Sequence, residues 1–206
     1  MPRMIVDPEA YFASLTQEDP EHEDFAERLH VRATQQGVPV VGPVMGRLLE
    51  MLCMLSGALH VLELGTAIGY STLFLARAMR RSGGCVASVD MNPQHCAVAR
   101  ETLAHAGLSP WGSVVCADAR CLPLDDGGFD FLFLDVDQRY YAELEPVCHA
   151  QLRPGGLLVA DNTAFRDSVE FNAMLLEPSR WLSVNLLAFL PQHAPELDGF
   201  CLAIKI

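Results

Sequence analysis

The segment Val61–Ser71 combines residue types that suit a small ligand resembling a nucleotide. Its sequence is V-L-E-L-G-T-A-I-G-Y-S, in which an apolar run is followed by two glycines, Gly65 and Gly69. Glycine lets the backbone turn tightly and approach a ligand without a Cβ in the way. Because ligands bind at the carboxyl ends of parallel strands, a strand, a glycine turn and a helix in that order predict a binding corner.

Glu63, within the same segment, limits which classes of ligand could bind at this turn. Phosphate groups bind where backbone amides donate, and a carboxylate beside those amides would repel them. A negative charge here suits a ligand that has an ammonium group and no phosphate. S-adenosylmethionine (SAM) is such a ligand, and we expect Glu63 to face it.

Asp90 ends the next predicted strand, roughly 25 residues after Gly65. An acid at about this distance binds the ribose hydroxyls of an adenosine ligand. The other reading of Asp90 is a helix cap, but Asn92 suits that role better because it directly precedes a helix that begins with proline. Asp118 and Ala119 follow the third predicted strand, and we expect them near the adenine ring or in a plain turn.

Asp135, Asp161 and Asn162 form a second group at the strand ends. Asp135 and Asp161 each end a predicted strand, and Asn162 follows directly. Two carboxylates and an amide oxygen are hard ligands that suit Mg²⁺ or Ca²⁺. The alternative for Asp161 and Asn162 is a simple turn, which these residue types favour.

Alternating apolar and helical segments predict the scaffold that brings these residues together. Continuous apolar strands separated by helices predict a parallel sheet covered on both faces. The last two strands have only a loop between them, too short for a helical crossover, so they should pair antiparallel. The predicted strands are 61–64, 86–89, 113–117, 129–134, 157–160, 183–189 and 200–206, and the helices are 8–14, about 18–36, 44–55, 71–81, 93–105, 140–152 and 169–176.

Composition limits the classes of protein to consider. The chain has 206 residues, half of them apolar, and a formal net charge of −12. This charge argues against a general nucleic-acid binder, whose affinity depends on neutralising phosphates. No apolar run approaches the roughly 20 residues of a membrane span. The seven cysteines show no C-x-x-C spacing and indicate reduced thiols in a cytoplasmic protein.

From about Val38 to Ile206 the sequence resembles one family closely. The motifs are V-L-E-L-G-T-A-I-G-Y-S, V-D-M-N-P, F-L-F-L-D-V-D-Q-R-Y-Y, L-R-P-G-G-L-L-V-A-D-N and D-G-F-C-L-A-I-K. They resemble class I SAM-dependent methyltransferases of the divalent-metal O-methyltransferase group, which includes catechol and caffeoyl-CoA O-methyltransferases. The resemblance implies an α/β fold with a Rossmann-like, seven-stranded, mostly parallel sheet whose last strand is antiparallel. It also implies one domain over residues 1–206, with an N-terminal helical cap (1–55) on a core (56–206).

The resemblance implies a role for each matching residue, in a protein that methylates a hydroxyl of a small phenolic or catecholic acceptor and forms a homodimer. Asp135, Asp161 and Asn162 would bind the metal, with Asp135 also catalytic. Asp137 would contact the substrate or order the site. The residues implied or predicted to bind SAM are Val41, Gly42, Glu63, Gly65, Gly69, Tyr70, Ser71, Asp90, Met91, Asp118, Ala119 and Asp135.

Gln138 departs from the family pattern. Catechol-type members have a lysine there that acts as general base, and glutamine cannot take a proton at neutral pH. His193, between the last two strands, is a possible substitute, although an exposed loop histidine is the reading we favour. Tyr140 and Tyr141 begin a helix beside Asp135 and either line an aromatic pocket or pack under that helix.

Three other functions stay open at this point. A methyltransferase for a hydroxylated transfer-RNA base shares G-T-A-I-G-Y-S but is disfavoured by the acidic charge. A nicotinamide-dependent oxidoreductase is disfavoured by Glu63 and by the missing third glycine of G-x-G-x-x-G. A non-catalytic SAM-binding protein is suggested by Gln138.

Overall fold

The structure, a computed structural model, describes residues 5, 7–15, 23–124 and 127–206. Helices and strands alternate through most of these ranges, with short 3₁₀ helices at 119–121, 138–140 and 166–168. The strands are β1 (His60–Leu64), β2 (Cys85–Asp90), β3 (Gly112–Cys116), β4 (Phe129–Leu134), β5 (Leu152–Ala160), β6 (Trp181–Phe189) and β7 (Leu197–Lys205). The helices are α1 (Pro8–Ala13), α2 (Glu23–Gln36), α3 (Gly42–Leu55), α4 (Tyr70–Ser82), α5 (Pro93–His105), α6 (Tyr141–Gln151) and α7 (Val169–Met174).

The strands form one seven-stranded sheet in the order β3-β2-β1-β4-β5-β7-β6. The first five strands pair in parallel, and β7 runs antiparallel to both of its neighbours, β5 and β6. This arrangement confirms the predicted mostly parallel, Rossmann-like sheet with an antiparallel last strand. The sheet brings the carboxyl ends of β1 to β5 to one edge.

Strand β4 shows why both faces of the sheet are buried. Its sequence F-D-F-L-F-L is apolar at consecutive positions, and successive side chains of a strand point to opposite faces. Phe131 and Phe133 pack in the core layer that contains α3, α4 and α5, whereas Leu132 and Leu134 pack in the layer under α6 and α7. A continuous apolar run is therefore what this central strand requires.

Gly65 draws the carboxyl ends of three strands together. Its φ is +102°, and a Cβ at this position would overlap the carbonyl oxygen of Asp135. The amide of Gly65 donates to the Val89 carbonyl oxygen at 2.8 Å. Because no side chain fits between them, the turn after β1 lies directly against the ends of β2 and β4.

Several predicted boundaries agree with the structure and a few differ. β4 and α5 have the predicted bounds, and Asn92 caps α5 by accepting from the Gln94 amide at 2.9 Å. α3 begins two residues earlier than predicted. Leu55, the last residue of α3, is exposed, and Cys53 takes the buried position four residues after Leu49.

The N-terminal prediction is only partly covered by the structure. Helix α2 begins at Glu23 and ends at the predicted Gln36, whereas the predicted start near residue 18 lies outside the described residues. Within the described ranges, every helix is too short or too polar to cross a membrane.

Candidate active site

A cavity of about 490 Å³ opens at the carboxyl edge of the parallel strands. This is within the usual range for small-molecule sites, about 300–1,000 Å³. The segment 38–41 before α3 and the loop between β6 and β7 complete the wall. The predicted residues that line it are Val41, Gly65, Tyr70, Ser71, Asp90, Met91, Asp118, Ala119, Asp135, Asp137, Gln138, Tyr140, Asp161, Asn162 and His193.

Two predicted SAM-binding glycines lie behind the cavity wall. A Cβ on Gly42 would lie 2.7 Å from the carbonyl oxygen of Gln192, so Gly42 lets α3 begin against the β6–β7 loop. A Cβ on Gly69 would lie 3.1 Å from the Cα of Ala99, so Gly69 lets α4 begin close to α5. Both glycines act through backbone packing, and neither is among the residues that line the cavity.

Glu63 also lies behind the wall, which corrects the expectation that its side chain faces the ligand. The side chain is fully buried and accepts hydrogen bonds from the hydroxyls of Thr72 and Ser88. Burial raises the pKa of Glu63 above its usual value, against the opposing effect of the hydrogen bonds from Ser71, Ser88 and Thr72. Glu63 therefore ties β1 to α4 and β2 beneath the glycine turn.

Asp90 orders the turns that follow β1 and β2. Its Oδ2 accepts from the Ala67 amide at 2.9 Å and its Oδ1 accepts from the Asn92 amide at 2.8 Å. Each carboxylate oxygen can accept more than one hydrogen bond. Asp90 thus keeps acceptor capacity toward the cavity while it fixes the loops after β1 and β2.

Asp118 is held by a cation that also covers an aromatic ring. The Arg120 guanidinium donates to the Asp118 carboxylate at 2.7 Å and lies 4.4 Å from the centre of the Tyr140 ring. The hydrogen bonds from Arg120 hold the pKa of Asp118 below its usual value. Tyr140 lines the cavity, whereas its neighbour Tyr141 is fully buried and donates to the Asp161 carbonyl oxygen at 2.9 Å.

Asp135 and Asp161 form a close acidic pair at the ends of β4 and β5. Burial, the Asp161 carboxylate and Glu63 raise the pKa of Asp135 well above its usual value. Oδ1 of Asp161 is buried and has no hydrogen-bond partner among the described residues. An unpaired buried carboxylate oxygen is costly, so this pair calls for a positive charge or a hydrogen-bond donor.

His193 supplies part of that positive charge. We expected this histidine to be exposed in a loop, but its side chain is buried. Its Nε2 lies 2.8 Å from Oδ2 of Asp161, and its Nδ1 lies 2.7 Å from the carbonyl oxygen of Pro195. Only 5% of the residue is accessible to solvent. Both ring nitrogens face acceptors, so the ring donates from both and has no free lone pair for a general base.

Asn162 turns its amide oxygen toward Gln138. The Nε2 of Gln138 donates to Oδ1 of Asn162 at 3.2 Å, and Nδ2 of Asn162 donates to the Asp198 carboxylate. Gln138 therefore acts as a neutral hydrogen-bond donor beside the predicted metal ligands.

The predicted metal ligands fit a divalent cation by the chemistry of their donors. Within the described ranges, no three His, Cys, Asp or Glu side chains are arranged to hold an ion by themselves. The set would consist of the Asp135 carboxylate, the unpaired Oδ1 of Asp161 and the Oδ1 of Asn162. These hard oxygens suit Mg²⁺ or Ca²⁺, and a cation would satisfy the orphaned Asp161 oxygen.

Sequence reasoning missed several residues of the site. Arg120 and His95 line the cavity but carry no motif of their own. Asp198 is buried behind Asn162, although the D-G-F-C-L-A-I-K motif that contains it was visible in the sequence. The burial of His193 depends on tertiary contacts of its loop, including the 3.0 Å contact between His30 Nε2 and the Gln192 carbonyl oxygen.

Comparisons with known proteins identify the family. A family model described as O-methyltransferase matches residues 16–181. A catechol O-methyltransferase of Niastella koreensis is 34% identical over 191 residues, covering 82% of this chain and 85% of the relative. A relative from Mycobacterium tuberculosis whose name includes O-methyltransferase is 34% identical over 65% of this chain, which spans 60% of that relative's length.

A solved structure shows the same architecture with a ligand. The O-methyltransferase from Bacillus cereus in complex with SAH aligns with a TM-score of 0.77 and 25% identity, covering 96% of both chains. SAH is the product that forms when SAM has given up its methyl group. Because the family model matches most of the length of this chain, the chain belongs to the O-methyltransferase family.

Proposed function

We propose that this protein transfers the methyl group of SAM to a hydroxyl of a small phenolic or catecholic acceptor, assisted by Mg²⁺ or Ca²⁺. The observation that carries the proposal is the position of the Asp135–Asp161–Asn162 group, in the wall of the same cavity as Gly65 and Asp90. One cavity therefore offers a corner for SAM and a group of hard oxygens for the acceptor side. Catechol is the acceptor class in the name of the Niastella koreensis relative.

The proposed SAM site extends along the first three strands. Val41, Gly65, Tyr70 and Ser71 would enclose the methionine part of SAM. The ribose would lie at Asp90, which keeps free acceptor capacity, and the adenine would lie between Met91 and the segment at Asp118 and Ala119. The remaining proposed SAM residues, Gly42, Glu63 and Gly69, would act from behind by holding α3 and α4 in place.

The proposed cation site would use Asp135, Asp161 and Asn162. The chemistry that a cation held by these residues would supply is a positive charge that lowers the pKa of the acceptor hydroxyl. Asp135 and Asn162 would position the acceptor hydroxyl opposite the sulfonium of SAM. Gln138 would donate a hydrogen bond on that side, and Tyr140 would offer an aromatic face to a planar acceptor.

In the proposed reaction the acceptor oxygen attacks the methyl carbon in line with the departing sulfur. The C–S bond breaks as the O–CH₃ bond forms, the sulfur keeps the electron pair, and the hydroxyl proton leaves. The products are SAH, a methyl ether and a proton. Alignment of the two reactants supplies about 7–11 kcal/mol in well-oriented systems.

Calorimetry and a labelled-methyl assay test this proposal. The protein should bind SAM and not NAD, and it should transfer the labelled methyl of SAM to catechol faster with Mg²⁺ than with a chelator. Absence of SAM binding would reject the proposed function as a whole. SAM binding that is unaffected by Mg²⁺, with no turnover of any catechol, would favour a non-catalytic SAM-binding protein.

We further propose that residues 1–206 form one methyltransferase domain that works as a homodimer in the cytoplasm. The free thiols of all seven cysteines support a reducing compartment. The edge strand β6 supports self-association, because Leu182 and Leu187 on it are exposed. Light scattering of the purified protein measures the oligomeric state. A separate binding assay tests the nucleic-acid alternative, which would be supported by transfer-RNA binding that weakens as salt is added and opposed by its absence.

A further inference from the structure

Asp198 is a buried acid at the beginning of β7 that does not line the cavity. Only 1% of the residue is accessible to solvent. One carboxylate oxygen accepts from the Gly199 amide at 2.6 Å, and the other accepts from Nδ2 of Asn162. A buried carboxylate is costly unless hydrogen bonds compensate it, so these two contacts account for its place.

The chemistry of Asp198 fixes which end of the Asn162 amide faces the cavity. An ionised carboxylate only accepts hydrogen bonds, so the amide nitrogen of Asn162 must face Asp198. The amide oxygen then points the other way, where Nε2 of Gln138 donates to it at 3.2 Å. The Gln138 amide can present either its nitrogen or its oxygen, so of these two partners of the Asn162 side chain it is Asp198 that fixes the orientation.

The backbone beside Asp198 holds Asn162 in an uncommon conformation. Asn162 has a φ of +50°, in the left-handed region that asparagine tolerates better than most residues. The carbonyl oxygen of Gly199 accepts from the Thr163 amide at 2.8 Å, and a Cβ on Gly199 would lie 2.8 Å from the Ala164 nitrogen. The Asp198–Gly199 segment thus packs directly against the turn that follows β5.

We propose that Asp198 is a positioning residue that turns the Asn162 oxygen into the cavity as a ligand for the divalent cation. The claim that a cation binds here rests on the proposed function. The claim that the Asn162 amide is oriented rests on the contacts of Asp198. Partners of this kind behind a metal ligand typically change metal affinity 10- to 100-fold.

Three variants separate this role from a general loss of structure. Asp198→Ala removes the acceptor. The double variant Asn162→Asp with Asp198→Asn exchanges donor and acceptor, so it restores the hydrogen bond and presents a carboxylate oxygen to the cavity. Asp130→Asn is the matched control, because Asp130 is a part-buried acid bonded to the Leu59 and His60 amides at the opposite end of the sheet. If the alanine variant does not fold, Asp198→Asn replaces it.

The first measurement needs no metal. Exchange of the Asn162 side-chain amide protons with solvent is followed by NMR, with the signals identified by their loss in Asn162→Asp. They should be protected in the wild type and in Asp130→Asn, and exchange at least about tenfold faster in Asp198→Ala. Unchanged protection in Asp198→Ala would overturn the proposal.

The second measurement is calorimetry with Mn²⁺ alone, which has the same preference for oxygen ligands as Mg²⁺. Asp198→Ala should bind Mn²⁺ about 10- to 100-fold more weakly, with SAM affinity unchanged, and the double variant should recover the affinity. Failure of the double variant to recover it would overturn the proposal. If the wild type binds no Mn²⁺ while the exchange results hold, the cation is rejected and the positioning of Asn162 by Asp198 stands.

Discussion

The imidazole of His193 lies on the carboxylate of Asp161, with Nε2 2.8 Å from Oδ2, and both side chains are almost completely buried. Burial disfavours the charged ring, but the hydrogen bond and the charge of Asp161 outweigh it and raise the pKa of His193 to about 9. The pair leaves Oδ1 of Asp161 unpartnered within the described structure. One oxygen of Asp161 is thus committed to the protein and the other is available to the site.

Replacing His193 should destabilise the protein strongly. Removal of one partner from a buried ion pair leaves an uncompensated charge and typically costs about 3–5 kcal/mol. His193→Ala should lower the free energy of unfolding by about this amount in urea at pH 7. The control is His60→Ala, an exposed histidine 3.6 Å from Asp130, which should change it by less than about 1 kcal/mol. Equal effects of the two variants would contradict the importance of the buried pair.

Gly65→Ala should abolish SAM binding. A Cβ at Gly65 would overlap the Asp135 carbonyl oxygen, and the φ of +102° is unfavourable for alanine. The turn after β1 would have to move into the proposed ligand site. Gly107→Ala is the control, because Gly107 also has a positive φ (+66°) but no neighbouring atom within 4 Å of an added Cβ. Calorimetry should show SAM binding in the control only, and binding by Gly65→Ala would show that the turn is not part of the site.

Gln138→Lys should raise the rate of methyl transfer without loss of metal binding. A lysine placed beside the Asn162 oxygen supplies the proton acceptor that glutamine lacks, and a general base typically contributes a factor of about 10²–10⁴. The assay compares turnover of catechol at pH 7–9 for the wild type, Gln138→Lys and Gln138→Met, where the last should show no gain. Abolished metal binding in Gln138→Lys would show that this residue is misplaced in the proposed site.

The stabilising effect of Asp130 should disappear in acid. Burial alone would raise the pKa of Asp130, but hydrogen bonds from Arg153 and the Leu59 and His60 amides hold it below its usual value. An acid whose pKa is lowered on folding stabilises the protein above its unfolded pKa, about 3.9, and loses that effect as the pH falls through the folded pKa. Asp130→Asn should cost about 1–3 kcal/mol at pH 7 and progressively less below about pH 4. A cost that stays constant from pH 7 to pH 3 would contradict this linkage.

Much of the fold was predictable because local and global signals agree. The apolar run of β4, the glycine turn after β1 and the Asn92 cap of α5 each specify one structure, and all three occur as predicted. The acids that end parallel strands were predicted to converge, and Asp90, Asp135 and Asp161 line one cavity.

The remaining parts of the site depend on information that spacing does not contain. All residues of β1 from Val61 to Leu64 are buried, so alternation along the strand cannot tell which layer Glu63 faces. His193 belongs to a loop whose position is set by packing against α2 and the start of α3, far away in sequence. Asp198 shows its role only through the direction of one hydrogen bond.

The place of β7 between β5 and β6 has a consequence for biosynthesis. A polypeptide emerges from the ribosome N-terminus first, and the strand that completes this sheet is made after all the others. Until Leu197–Lys205 has left the exit tunnel, β5 has an unpaired edge and Asn162 lacks its acceptor. The hydrogen bond that orients the Asn162 side chain therefore forms only after the other six strands have been made.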